Sequence, residues 1–156
     1  MHQSGTLIFE TTLHVRHACL CLHAQQAARA LARRFDVALK PVGITSGQFS
    51  LLMSLNRPEP PGLGSVAALL ALDRTTLTAN LKPLERRGLV ETAADPKDRR
   101  ARRLRLTPDG RSVLVAALPI WQHLHAEVEV SLSDPDRLRA ELSLLSKSDE
   151  QHGIAG

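Results

Sequence analysis

Two groups of residues in this sequence are equipped for chemistry. The first is the run His17-Ala18-Cys19-Leu20-Cys21-Leu22-His23, which brings two imidazoles and two thiols close together in the chain. Both types ligate metals, and a thiolate is also the nucleophile that oxidants attack. Helical spacing limits what they can do jointly. Positions 17 and 21, or 19 and 23, share a helix face, but all four cannot converge from one helix, so a closed tetrahedral site would need a partner chain. Side chains two apart point away from each other, so a disulfide between Cys19 and Cys21 is not expected. Arg16, His17 and His23 would favour the thiolate, whereas apolar burial would leave both cysteines as small, inert hydrophobes.

The second group is a concentration of charge. The chain carries a formal net charge of +4, yet between Arg74 and Arg105 there are ten Lys or Arg against four acidic residues. Cations gathered in this way form the footprint of a polyanion-binding face, because each one placed near a phosphate releases a condensed counterion. Hydroxyl, amide and guanidinium groups suited to base edges and phosphates accompany them at Arg74, Thr75, Thr76, Thr78, Asn80, Lys82 and Arg86, followed by Asp98, Arg99, Arg100 and Arg102. A smaller set, Trp121 with His123 and His125, could line a pocket for an anionic aromatic ligand, although a Trp at helical spacing also suits a core. There is no Gly-rich phosphate loop and no paired catalytic carboxylates, so the residues argue against an enzyme, and no cofactor is expected.

The elements that must position these groups are mainly helical. Apolar residues from Leu13 to Leu39 recur at steps of three and four, which predicts one long helix ended by Lys40-Pro41-Val42-Gly43. Thr45 with Gln48 forms a capping-box signature for a second helix to about Leu55. After the helix-breaking run from Arg57 to Gly62, a short helix capped by Ser65 is expected to Leu70. Asp73 then caps a fourth helix, Arg74 to Arg87, with Gly88 as its terminator and Pro83 as a bend. Leu89 to Thr92 and Arg102 to Leu106 read as strands joined by Asp95-Pro96-Lys97-Asp98, with Leu104 and Leu106 on one face and Arg103 and Arg105 on the other. Thr107-Pro108 opens a long helix whose apolar stripe runs through Trp121 to Leu132, and a last helix runs from Asp134-Pro135 to about Lys147.

This order is that of a winged helix-turn-helix flanked by long dimerisation helices. At this level the chain resembles the MarR family of transcription regulators, over roughly Cys19 to Val130. The resemblance is most specific in Asp73-Arg74-Thr75-Thr76-Leu77, in Leu84-Glu85-Arg86-Arg87-Gly88-Leu89-Val90, in Asp95-Pro96-Lys97-Asp98-Arg99-Arg100 and in Leu106-Thr107-Pro108-Asp109-Gly110. It implies that the wing motif of an acid, any residue and an arginine falls on Asp98 and Arg100, with Asp98 orienting Arg100 for a minor groove. It further implies a homodimer built by the first and last helices and an effector site, for a small molecule or an oxidant, between those helices and the DNA lobe. One branch of the family senses organic peroxides through a cysteine near the start of the first helix, where Cys19 and Cys21 lie here. That branch bonds the cysteine with tyrosines; this chain has no Tyr, and His23 stands in that region.

The length of 156 residues suits one domain, 1–156, with dimerisation helices at about 13–40 and 107–147 and a DNA-binding lobe at about 45–106. With 43% hydrophobic but 3% aromatic residues, the core must be Leu, Val and Ala. No run approaches the roughly 20 apolar residues of a membrane span, and the N-terminus lacks signal-peptide order, so a cytoplasmic location is expected. The tail 148–156 is polar and expected to be disordered. Taken together, these features predict a sequence-specific double-stranded-DNA-binding regulator, reading a pseudo-palindromic operator and released by a ligand or by oxidation. The competing readings are a non-specific architectural DNA binder and a metal-responsive regulator.

Overall fold

The computed structural model describes residues 7–147, so the tail expected at 148–156 lies outside the described residues. In chain order the elements are α1 (Phe9–Ala18), α2 (Leu20–Leu39), a 3-10 turn (Lys40–Val42), α3 (Ser46–Ser54), α4 (Leu63–Leu69), α5 (Arg74–Arg86), β1 (Val90–Ala94), β2 (Arg102–Leu106), α6 (Pro108–Val130) and α7 (Pro135–Lys147). This is a mainly helical winged helix-turn-helix with one hairpin.

Local chemistry sets most boundaries. Thr45 and Gln48 exchange both capping-box bonds at the start of α3, Asp73 caps α5, and Thr107 caps α6 with Pro108 in its first turn. After α5 the chain reverses through Gly88 at φ 69°, a left-handed conformation that a side chain would resist. The turn between α4 and α5 uses a non-glycine residue for the same purpose. Ala71 sits at φ 52°, with Ala71 N donating to Ala68 O (3.2 Å) and Leu72 N to Ala67 O (2.9 Å), which satisfies the last carbonyls of α4.

Three expectations are corrected. The helix expected from 13 to 39 begins earlier, at Phe9, and is two helices: Cys19, at φ −70° and ψ 107°, leaves helical geometry, and its Sγ accepts the amide of Leu22 as the cap of α2. The apolar spacing runs unbroken across this point, so periodicity could not reveal the break. The third helix starts at Leu63 rather than Ser65; Gly62 precedes it without a side-chain cap, and the Ser65 hydroxyl donates back to Gly62 O. Leu132 lies past the end of α6 rather than on its stripe.

The core joins the end of α2 to the helices and hairpin that follow it. Leu39, Phe49, Leu52, Val66, Leu77, Leu84, Leu104, Leu114 and Ala117 are buried in one cluster drawn from α2, α3, α4, α5, the hairpin and α6. Leu104 N donates to Pro61 O at 2.8 Å, and Gly62 bridges Arg103, so the proline-rich segment before α4 runs antiparallel along β2 as a short third edge. Where α6 crosses the hairpin, Gly110 meets backbone. A Cβ there would lie 2.1 Å from Leu89 O and 2.8 Å from Leu106 Cδ1. By contrast α1 and α7 bury no residue in the single chain, and Leu7, Ile8, Phe9, Val15, Leu138, Leu142 and Leu145 are exposed. Among the described residues no helix is long and apolar enough to cross a membrane.

Candidate nucleic-acid interface

The geometry of α5 follows from its sequence. Leu77, Leu81 and Leu84 recur at steps of four and three and are buried, which turns Arg74, Thr75, Thr76, Thr78 and Lys82 outward. Arg74, Thr75, Thr78, Ala79 and Lys82 line one shallow depression on that surface. Asn80 is exposed but lies farther round, in a crease with Thr45, Gln48 and Pro83 between α3 and α5. Arg86 is exposed at the carboxyl end of the helix.

Some of these polar groups already have partners. Asp73 Oδ1 accepts Thr76 N at 2.7 Å and Oδ2 accepts the Thr76 hydroxyl at 2.8 Å, and the bond from the Thr76 amide is the main reason its carboxyl is held below the usual range. The Thr78 hydroxyl donates to Arg74 O at 2.8 Å. Both hydroxyls keep lone pairs for an incoming donor while their own protons are engaged.

The hairpin places a cationic tip beside this helix. Its register runs from Val90 opposite Leu106 to Ala94 opposite Arg102, and the Thr92 hydroxyl donates to Glu85 of α5. In the tip, Asp95 Oδ1 accepts Lys97 N at 2.9 Å and Asp98 Oδ1 accepts Arg100 N at 3.0 Å. Asp98 therefore engages the backbone of Arg100. Lys97, Arg99, Arg100 and Arg102 are exposed and have no ion-pair partner among the described residues.

Arg103 and Arg105 behave differently from that tip. Leu104 and Leu106 point inward as the alternation requires, but Arg103 pairs with Asp95 at 2.9 Å and Arg105 with Glu91. Their charge is met within the hairpin, which a count of cations alone could not indicate. The signal was the cross-strand register, which sets Glu91 directly opposite Arg105. Sequence reasoning also missed Arg87, whose Nη1 donates to Gly43 O at 2.8 Å and ties the end of α5 to the turn after α2.

The effector candidates fall apart into two places. Cys19 is half-buried and Cys21 exposed, with Gln25 Nε2 donating to Cys21 Sγ at 3.2 Å. His23 is exposed, and its Nδ1 lies 2.7 Å from Cys19 O. Trp121 is half-buried between Phe49, with ring centroids 6.2 Å apart, and His125, at 4.6 Å. His125 in turn lies 3.7 Å from Glu129, which also binds Arg139 of α7. Among the described residues no group of three or more His, Cys, Asp or Glu is arranged to hold a metal ion within one chain.

Known proteins resemble this chain in sequence and in fold. The model of the MarR family matches residues 44–101. The chain is similar to the M. tuberculosis transcriptional regulator MosR, solved in complex with DNA, at 37% identity and a TM-score of 0.80, covering 87% of this chain and 99% of that one. It is 33% identical over 96 residues to the transcriptional regulator HosA of Escherichia coli O111:H-, covering 60% of this chain and 70% of HosA. It is also 33% identical over 137 residues to the HTH-type transcriptional regulator TtmR of Methylorubrum extorquens, covering 88% of this chain and 69% of TtmR.

Proposed function

Because the chain belongs to the MarR family, we propose that it is a homodimeric repressor that binds a pseudo-palindromic double-stranded operator and is released by a small ligand or by oxidation. That it is a DNA-binding transcription regulator, and not an enzyme, comes with the family; the finer statements are our reading. The observation that carries it is the exposed polar face of α5 beside a wing tip whose Lys97, Arg99, Arg100 and Arg102 have no ion-pair partner among the described residues. Such a helix fits a major groove, with Arg74, Thr75, Thr76, Thr78, Lys82 and, at its flank, Asn80 within reach of bases and phosphates. Arg86 and Arg102 suit the backbone, while Arg99 and Arg100, held by the turn that Asp98 closes, suit a narrow minor groove with enhanced negative potential.

Dimerisation is supported by the exposed apolar residues of α1 and α7, which a second copy would cover. Two recognition helices related by a twofold axis then read half-sites about one helical turn apart. Release by oxidation is supported by Cys19, whose free, half-buried sulfur sits at the amino end of α2 and accepts the Leu22 amide, so that an oxidised sulfur there would disturb the cap of that helix. Release by a ligand is supported by the half-buried Trp121–His125 stack between the lobe and α7.

Footprinting on the DNA flanking its own coding region, with competition by random duplex, tests the reading. The expected result is a protected pair of half-sites that random duplex displaces poorly. Equal competition by random DNA would leave an architectural binder instead. Treating wild type and a Cys19→Ser, Cys21→Ser double variant with organic peroxide separates the two modes of release: loss of binding in wild type alone assigns oxidation, and retention by both directs the search to Trp121, His125 and His23.

A further inference from the structure

Arg103 occupies a junction that the proposed DNA contacts do not use. Its Nε donates to Asp95 Oδ2 at 2.9 Å, and its Nη1 donates to Pro60 O at 3.0 Å. Its backbone bridges Gly62. Three separate segments, the proline-rich edge before α4, the start of the wing tip and strand β2, therefore meet at one guanidinium. The planar fork suits this task, because its donors leave in fixed directions and reach two acceptors at once.

Its partner Asp95 is the residue that folds the tip. The side chain is only 10% exposed, although it lies on a surface hairpin. While Oδ2 is held by Arg103, Oδ1 accepts Lys97 N at 2.9 Å and the Asp95 amide donates to Ala101 O at 3.1 Å. The remaining bonds within the tip are local ones, Asp98 N to Asp95 O, Arg100 N to Asp98 Oδ1 and Ala101 N to Asp98 O. Side-chain anchorage of the tip to the body of the protein thus runs through Asp95 and Arg103 to the carbonyl of Pro60.

We propose that Arg103 is a positioning residue for DNA binding: acting through Asp95 and Pro60 O, it fixes the angle at which the wing tip presents Arg99 and Arg100, and it does not itself contact DNA. This rests on the proposed operator-binding function. The rival view is that Arg103 is one more phosphate contact in a basic face. The two views differ in sign at Asp95. Removing an acid beside a polyanion strengthens attraction if only net charge matters, whereas losing the residue that orders the tip weakens it.

The test compares operator affinity for wild type, Arg103→Ala, Arg103→Lys and Asp95→Ala, each alone and in an Arg99→Ala, Arg100→Ala background, with hydrogen exchange at the amides of Lys97 and Arg100. We expect Arg103→Ala and Asp95→Ala each to weaken binding roughly ten-fold and to expose those amides. Arg103→Lys, which can reach one acceptor but not span both, should fall between. In the background lacking the tip arginines the Arg103→Ala effect should vanish, because residues acting through one contact are not additive. Asp95→Ala binding as tightly as wild type or tighter, or an Arg103→Ala loss that persists undiminished in that background, would overturn the proposal. Should Arg103→Ala unfold, Arg103→Lys and Asp95→Ala carry the comparison. A wild-type chain with no operator preference would defeat the proposed function instead, and the wild-type titration reads that first.

Discussion

Replacing Gly110 with alanine tests how α6 is seated on the hairpin. The new Cβ would lie 2.1 Å from Leu89 O and 2.8 Å from Leu106 Cδ1. An ordinary carbon-to-oxygen approach is about 3.3–3.6 Å, so α6 and Leu89 must separate by roughly 1.2 Å. Leu89 O cannot swing aside, because it accepts Thr107 N at 3.1 Å, while Thr107 Oγ1 donates to Gly88 O and accepts Gly110 N. Forcing atoms into a packed site of this kind costs about 1–3 kcal/mol, and the obstacle here is backbone, which favours the upper part of that range. Alanine recovers at most about 1 kcal/mol of helix propensity. The expected net loss is about 1–2 kcal/mol, or a fall in Tm of about 2–8 °C for a chain of this size. Urea unfolding should show a lower midpoint with an unchanged slope. The control is Gly47→Ala in α3, where a new Cβ would lie 4.0 Å from Thr45 Oγ1, an ordinary contact; it should be neutral or stabilising. If Gly110→Ala unfolds at the wild-type temperature while Gly47→Ala does not stabilise, the packing argument is refuted.

Arg100→Ala should weaken operator binding by about 1–3 kcal/mol in filter-binding or anisotropy titrations while leaving Tm unchanged, since it removes a groove contact and no core. Asp73 has a native pKa below the usual carboxylate value, so the cap it provides is fully present at neutral pH and is lost as pH falls through the carboxylate range. The Tm difference between wild type and Asp73→Ala should therefore shrink on acidification. Asp73→Asn, which caps without titrating, should keep its advantage over Asp73→Ala at low pH. Ala71→Gly relieves a left-handed alanine and should raise stability by up to about 1 kcal/mol in thermal melts, a gain that would be absent if the turn relaxed in solution.

How much of this was legible depended on whether the signal was local. The caps at Thr45, Asp73 and Thr107, the terminator Gly88 and the alternation of Leu104 and Leu106 are one- to four-residue rules, and each marks an element present in the fold. The break at Cys19 was hidden because a thiol is not an expected cap and the apolar spacing continues through it. Arg103 and Arg105 were legible as outward-facing but not as paired, since pairing depends on register and on the distant carbonyl of Pro60. The dipeptide steps around Ala71 gave no sign of a left-handed turn, because alanine there is held by bonds to Ala67 and Ala68 rather than by its own preference.

The division of α5 into two sets of residues has an evolutionary consequence. Leu77, Leu81 and Leu84 hold the helix in the core, while Arg74, Thr75, Thr78 and Lys82 face outward and add nothing to that packing. Surface substitutions of this kind change stability by no more than about 0.5 kcal/mol, so mutation can explore these outward positions without loss of the protein. A duplicated copy could then drift to a different target sequence one side chain at a time, each intermediate still folded, whereas drift at the leucines would be removed before any new specificity arose.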